Sequence, residues 1–365
     1  MAQTFRIALL PGDGVGPEVM APTRALLNRI AASSGAFEFA WQTRPAGAAH
    51  FQATGEALPA STLDAARAAD AILLAAMGDP AVRYPDGREI TPQITLRMEL
   101  GLYAGVRPVR PIPGARPVLA DPRAAAMDFV ILRESTEGLF APSAPGTRSG
   151  DDEARETMVI TRRTSAQLFD FAFRLAGRRA GQRRRQGRVT SVDKANVFQA
   201  FAFWREVFWQ RAEGFPEVSA DTAYVDAFAM RMVNRPWEID VAVTENMFGD
   251  ILSDLGAALM GGLGFAPSAD IGRDHAVFQP CHGSAPDIAG QGIANPTAMI
   301  LSAAMMLEWL AERHDVPAAE EAGGRLRRAV DAAFAAGDVV PPELGGTDRT
   351  EAVAAAVATA FDRLG

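Results

Sequence analysis

The chain reads as an α/β protein in which helices flank a large, mostly parallel sheet. Three observations predict this: short apolar runs recur, helical spacing follows most of them, and glycine-rich turns separate the two. Arg6-Ile-Ala-Leu-Leu10 is the first run, and Pro11-Gly-Asp-Gly-Val-Gly-Pro17 turns from it into a helix beginning near Pro17. Ala71-Ile-Leu-Leu-Ala75 repeats the strand signal ahead of Gly78-Asp79-Pro80. Asp128-Phe-Val-Ile-Leu132, Arg188-Val-Thr-Ser-Val192 and Asp240-Val-Ala-Val-Thr244 carry it onward. No repeat of fixed period and no low-complexity linker interrupts the series. The proline-rich stretch 107–114 and the glycines Gly261, Gly262 and Gly264 are the expected crossings between domains. Two crossings make the first domain discontinuous, with residues 1–102 and 261–365 in one unit and 103–260 in the other.

Composition narrows the function classes. At 365 residues, with 48% hydrophobic and 22% charged, the chain can bury a sizeable core. A net charge of −8 offers no global attraction for nucleic acid or an anionic membrane. The single cysteine, Cys281, excludes an internal disulfide and fits a reducing compartment. No apolar stretch reaches transmembrane length, and Met1-Ala-Gln-Thr-Phe-Arg-Ile7 shows no signal-peptide pattern, so a cytoplasmic protein is expected. The run Arg178, Arg179, Arg183, Arg184, Arg185 and Arg188 lacks interleaved aromatics, and a solvated helix end is the expected reading.

The residues that suggest chemistry fall in separate segments. Asp250 and Asp254 lie one helical turn apart in Asn246-Met-Phe-Gly-Asp-Ile-Leu-Ser-Asp254 and point from one face. Two like charges there oppose a bare helix, and a hard divalent cation such as Mg²⁺ or Mn²⁺ would reverse the sign. Arg97, Arg107 and Arg133 could grip a di-acid if the fold brings them together. Lys194 follows a strand and could move a proton, and Asp226 could be a third carboxylate for a metal. The first glycine loop has the position of a phosphate-binding turn but not the G-x-G-x-x-G spacing, so a tight structural turn is equally open. The second, Pro280-Cys-His-Gly-Ser-Ala-Pro-Asp-Ile-Ala-Gly290 with Asn295 beyond it, permits close approach of a ligand, and Asp287 could accept from a ribose diol.

Read in order, these motifs resemble the isocitrate/isopropylmalate dehydrogenase family. The resemblance runs from Gly12-Asp-Gly-Val-Gly-Pro-Glu18 through Leu96-Arg-Met-Glu-Leu-Gly-Leu-Tyr-Ala-Gly-Val-Arg-Pro108, Arg133-Glu-Ser-Thr-Glu-Gly138 and Asp193-Lys-Ala-Asn196. It continues through 246–254 and 282–295 to Gly345-Gly-Thr347, almost the whole chain. It implies a two-domain isopropylmalate dehydrogenase-like fold and an NAD-dependent, decarboxylating oxidation of a (2R)-hydroxy di-acid. Arg97, Arg107 and Arg133 would hold the malate moiety, with Thr91 and Gln93 near the C3 substituent. Asp250 and Asp254 would bind Mg²⁺ or Mn²⁺ with Asp226 of a second copy, whose Lys194 would assist proton removal. A homodimer with shared active sites follows from that. His282, Gly283, Ser284, Ala285, Pro286, Asp287 and Asn295 would hold the adenosine half of the cofactor. The aspartate at 287 favours NAD, because it would repel a 2′-phosphate.

The chain also departs from the family pattern. Phe140 stands where the family usually has a tyrosine that protonates the product, Gln279 replaces a usual glutamate, and Gly105 replaces a usual asparagine. The segment Ile90-Thr-Pro-Gln-Ile-Thr-Leu-Arg97 matches neither the isopropylmalate nor the isocitrate pattern. A 3-isopropylmalate-like or other alkyl-malate substrate is expected, with isocitrate, tartrate and D-malate as alternatives. A regulatory paralogue without catalysis is the alternative from another class.

Overall fold

The computed structural model describes residues 2–115, 117–141 and 146–364. Twelve strands are numbered in chain order. They are β1 (Gln3–Gly12), β2 (Phe37–Thr43), β3 (Ala71–Ala76), β4 (Ala104–Val109), β5 (Phe129–Glu134), β6 (Thr147–Ser149), β7 (Glu153–Arg155), β8 (Arg188–Asp193), β9 (Ser219–Tyr224), β10 (Val241–Thr244), β11 (Pro267–Ile271) and β12 (Ala276–Pro280). Ten of them form one sheet in the order β2-β1-β3-β12-β11-β4-β5-β10-β8-β9, and β6 and β7 form a separate ribbon. The flanks of the sheet are parallel, whereas β12, β11, β4 and β5 pair antiparallel at its centre. The expected α/β architecture with a large mixed, mostly parallel sheet is what the chain adopts.

The apolar runs are buried because helices cover both faces. Ala71–Ala76 is buried at every position, as a strand covered on both sides must be. The helix Thr297–His314 is buried around most of its circumference, which suits a central helix wedged against β3, β11 and β12. Among the described residues no helix is long and apolar enough to cross a membrane.

Some elements differ from the sequence expectation. Residues 107–109, expected in a domain crossing, are the end of β4. Pro108 is tolerated there because β11 pairs only with residues 104–106, leaving one side of residues 107–109 without a ladder. The arginine run is partly structural. Arg179 and Arg183 reach the buried Asp240 at 3.0 and 3.2 Å, and the backbone N–H of Arg188 donates to the same carboxylate.

The first glycine loop is a bed for the second. The N–H of Val15 donates to the carbonyl of Ser284 at 2.8 Å, and a Cβ on Gly14, at φ +57°, would lie 1.9 Å from that same oxygen. Asp13 is buried and accepts from the N–H groups of Ala48, Ala49 and Gly78. Glu18 accepts from Ala294 N–H at 2.9 Å and from Thr350 Oγ1 at 2.7 Å. Of the two readings left open for this loop, the structural turn is the one its hydrogen bonds show.

Candidate active site

The three arginines meet in one cavity of about 150 Å³ at the centre of the sheet. Arg107 comes from β4, Arg133 from β5 and Arg97 from the helix Pro92–Glu99. An aspartate that sequence reasoning missed organises them. Asp270 on β11 is fully buried and accepts from Arg97 Nε at 2.9 Å, Arg107 Nη2 at 3.2 Å and Gln279 Nε2 at 2.9 Å. Burial would push its carboxyl up, but Arg97 and Arg107 beside it hold it below the ordinary range. A charged residue inside the strand Pro267-Ser-Ala-Asp-Ile271 was the available signal, since buried charges are paired.

The two metal candidates lie on the same wall. The helix Asn246–Met260 is capped at its start by Glu245, whose carboxylate accepts from the N–H groups of Met247 and Phe248. Gly249 lets it sit directly on β5, because a Cβ there would come within 2.6 Å of the Arg133 side chain. The helix therefore presents Asp250, Ser253 and Asp254 to the cavity. Asp250 forms an ion pair with Arg133. Asp254 has no ion-pair partner among the described residues; burial and then the charge of Asp250 push its carboxyl up. Arg133 is pushed down to about 10 by burial and by its neighbour Arg97. Two crowded oxygen donors, one of them without an ion-pair partner among the described residues, suit a hard divalent cation.

Lys194 and Asp226 lie elsewhere on the chain. They pair with each other, Nζ to Oδ1 at 2.5 Å, and Asp226 is exposed. Neither lines the cavity, and no group of three His, Cys, Asp or Glu side chains is close enough to hold a metal among the described residues. One chain thus carries two separate sets of candidate groups.

The second glycine loop forms the opposite wall. His282 and Gly283 line the cavity. His282 Nδ1 lies 2.9 Å from the carbonyl of Gly283, which leaves Nε2 as an acceptor; that atom is buried and unpartnered. Burial keeps the ring neutral by lowering its pKa. Ser284 is buried, Ala285 takes a left-handed conformation at φ 40°, and Pro286 and Asp287 are exposed. The orphaned ring nitrogen and open glycine positions fit a nucleotide-sized ligand. Asn295 is committed to its own chain, accepting from Thr297 and donating to Glu343 at 2.9 Å.

The remaining candidates divide. Gln93 lines the cavity, whereas Thr91 is the residue before its helix and does not. Phe140 rests with its ring 5.5 Å from the Arg133 guanidinium. Gly105 faces both Arg133 and Asp270 in register, and a Cβ there would come 2.7 Å from Ser135 Oγ, so a larger residue would require that hydroxyl to turn away. Ser253, Ser268 and Cys281 also line the cavity and were not expected.

At the end of β5, Glu134 is buried, and burial pushes its carboxyl up to about 7 although Thr136 and Glu137 donate to it. A carboxyl raised on folding contributes stability at low pH that is lost as pH rises through about 7. Denaturant unfolding between about pH 5 and 8 should show that decline, and Glu134→Gln should flatten it. Equal slopes in both proteins would rule the assignment out.

Comparison with known proteins agrees with this geometry. Residues 6–358 match the isocitrate/isopropylmalate dehydrogenase family. The chain belongs to that family. A 3-isopropylmalate dehydrogenase of Salinibacter ruber is 43% identical over 335 residues, 88% of this chain and 89% of its own length. A 3-isopropylmalate/3-methylmalate dehydrogenase of Methanocaldococcus jannaschii is 39% identical over 356 residues, 97% and 98% of the two chains. Among solved structures, the isocitrate dehydrogenase of Methylococcus capsulatus superposes with a TM-score of 0.83 at 36% identity, covering 98% of this chain and 99% of that one. The β-decarboxylating dehydrogenase of Thermococcus kodakarensis gives 0.78 at 34% identity, covering 99% and 97%. The protein is therefore a β-decarboxylating dehydrogenase of the isocitrate/isopropylmalate dehydrogenase family, whose members act on small hydroxy acids with NAD(P) and a divalent metal.

Proposed function

We propose that the protein oxidises and decarboxylates a C3-substituted (2R)-malate, using NAD and Mg²⁺ or Mn²⁺, as a homodimer that shares its active sites. The observation that carries this reading is the convergence of Arg97, Arg107 and Arg133 beside Asp250 and Asp254 in a single cavity. Arg97, Arg107 and Arg133 would hold the substrate's two carboxylates, which share the cavity's positive charge with Asp270. Asp250 and Asp254 would hold the divalent ion together with Asp226 of a second copy. Lys194 of that copy, which contacts Asp226, would assist removal of the hydroxyl proton. When bound, the ion supplies Lewis acidity at the substrate's C2 oxygen and the nicotinamide supplies the hydride acceptor. The residues from His282 to Asp287, with Asn295 behind them, would position the cofactor. Phe140 has no proton to give to C3, so water or another group must finish the reaction.

Two features support the dimer. Val197, Phe198, Met230, Val233 and Ile251 are exposed apolar side chains on segments next to Lys194, Asp226 and Asp250. The ribbon of β6 and β7 is exposed along both strands, and an isolated two-stranded ribbon is marginally stable in water. The proposed division into residues 1–102 with 261–365 and residues 103–260 puts the loop from His282 in the first unit and the metal helix in the second. A cytoplasmic location accords with the single cysteine.

The test is direct. Purified protein incubated with NAD, Mn²⁺ and a panel of malates should release NADH and CO₂ together. NADH without CO₂ would leave an oxidation that stops before decarboxylation, and no NADH would defeat the reading. Cofactor choice has its own test, because Asp287 is exposed beside the proposed ribose site. Asp287→Lys should move the ratio of NAD to NADP efficiency toward NADP by roughly tenfold or more. An unmoved ratio would remove Asp287 from that role.

A further inference from the structure

We propose that Glu18 is a positioning residue for the cofactor: it fixes the far end of the second glycine loop and thereby sets the affinity for the adenosine half of NAD. The inference rests on the proposed reading of that loop as the cofactor's seat, and it adds a residue that lies outside the loop. The loop is buried only at its ends, at Ser284 and at Ala294 with Asn295, while residues 285–293 are half-buried or exposed. A Cβ added to Gly283 or Gly290 would meet nothing within 4 Å, so the chain leaves open space beside the loop. Its shape therefore depends on what holds the two ends.

One end is held by the first glycine loop, through the Val15 N–H on the Ser284 carbonyl at 2.8 Å. The other is held by a knot of three segments. Glu18, in the first turn of the helix Gly16–Ser34, accepts at Oε1 from the Ala294 N–H at 2.9 Å, and Thr350 Oγ1 lies 2.7 Å from the same oxygen. Thr350 opens the helix Thr350–Arg363 and donates its own N–H to the Gly292 carbonyl at 3.0 Å. Arg349 before it donates to the Gln291 carbonyl. No arginine or lysine among the described residues pairs with Glu18, so N–H and O–H donors alone carry its charge.

The other carboxylate oxygen has capacity left. Oε2 is buried and accepts no hydrogen bond, although the N–H groups of Gly290 and Gly292 are turned toward the carboxylate. Burial would raise the carboxyl, but Thr350 and the N–H groups of Ala294, Gly292 and Gly290 hold it below the ordinary range, so it is charged at neutral pH. A buried acceptor left unpaired is costly, and a slight inward movement of residues 290–292 would supply the missing donor. Closure of the loop on a bound adenosine and completion of these bonds therefore favour one another.

The experiment measures Kd for NAD and for ADP-ribose, which carries the adenosine half without the nicotinamide, together with kcat on a malate that the wild type turns over. Glu18→Gln keeps the shape of the side chain but turns an amide N–H₂ toward backbone donors. It should weaken NAD and ADP-ribose by the same factor, roughly tenfold or more, with kcat at saturating NAD changed by less than about threefold. Glu18→Asp, which retains both acceptor oxygens on a shorter stem, should lie between that variant and the wild type. Thr350→Val removes one donor to the carboxylate and should weaken both ligands by roughly threefold. It also provides the comparison should the glutamine variant fail to fold. Unchanged affinity for ADP-ribose in both Glu18→Gln and Thr350→Val, or a kcat that falls as far as the affinity, overturns the inference while leaving the cofactor reading intact. A wild type that binds neither NAD nor ADP-ribose overturns both.

Discussion

Asp254→Asn is expected to lower kcat/KM by about 10³-fold while leaving the fold as stable as before or slightly more so. The two effects separate because burial and repulsion from Asp250 outweigh the attraction of Arg133 and Arg107 for this carboxylate in the free chain. It lies one turn from Asp250, it forms no ion pair among the described residues, and burial together with the charge of Asp250 already pushes it toward protonation. Removing its charge relieves that repulsion. The loss comes only when a cation is to be bound, since one of the hard oxygen donors is then missing. Thermal melts give a readout independent of turnover. Mn²⁺ should raise the wild-type midpoint by mass action and should leave the variant's midpoint nearly unmoved at the same concentration. Retention of more than about a tenth of the wild-type efficiency would contradict a metal role for this side chain. Asp250→Asn is a less clean test, because it also frees the buried Arg133 from its partner.

How much of this was legible in the sequence depends on the range of the interaction. The pair Asp250 and Asp254 could be read because helical spacing is a local rule. The strands at 71–76, 129–134, 188–193 and 241–244 could be read because burial on both faces leaves continuous apolar runs. Phe37–Thr43 was missed by that criterion: it is an edge strand whose large apolar residues, Phe37, Phe39 and Trp41, alternate with Glu38, Ala40 and Gln42, the period expected of half-buried backbone. The antiparallel centre of the sheet was missed for another reason. Pro267–Ile271 and Ala276–Pro280 carry serine, aspartate and glutamine inward because Gln279 donates to Asp270, Asp270 pairs with two arginines, and Ser268 donates to the backbone carbonyl of Gln279. A strand that is polar for the sake of a site does not look like a strand. The convergence of the arginines was beyond local reading altogether, since Arg107 and Asp270 meet across 163 residues of chain.

That same contact yields the largest expected effect on stability. Arg107→Leu should destabilise the protein by about 3–5 kcal/mol, because it strips a buried carboxylate of a charged partner. Arg107 is 5% exposed and Asp270 is 0% exposed, so neither can recover its hydration. Arg97 and Gln279 still reach the other carboxylate oxygen, Oδ2, which places the effect toward the lower end of that range. Activity should also fall, but stability and activity respond differently to a second change. Adding Asp270→Leu removes the orphaned charge but also takes the partner from Arg97 and Gln279, so the double variant should regain only part of the lost stability. It should not regain turnover, because the guanidinium proposed to hold the substrate is still absent. Equilibrium unfolding of both variants and the wild type, with kcat/KM measured on each, separates the two consequences. If the double variant were as unstable as the single one, the ion pair would not be what holds β4 to β11 at this point. If it recovered activity, Arg107 would be a scaffold for the cavity and not a ligand of the substrate.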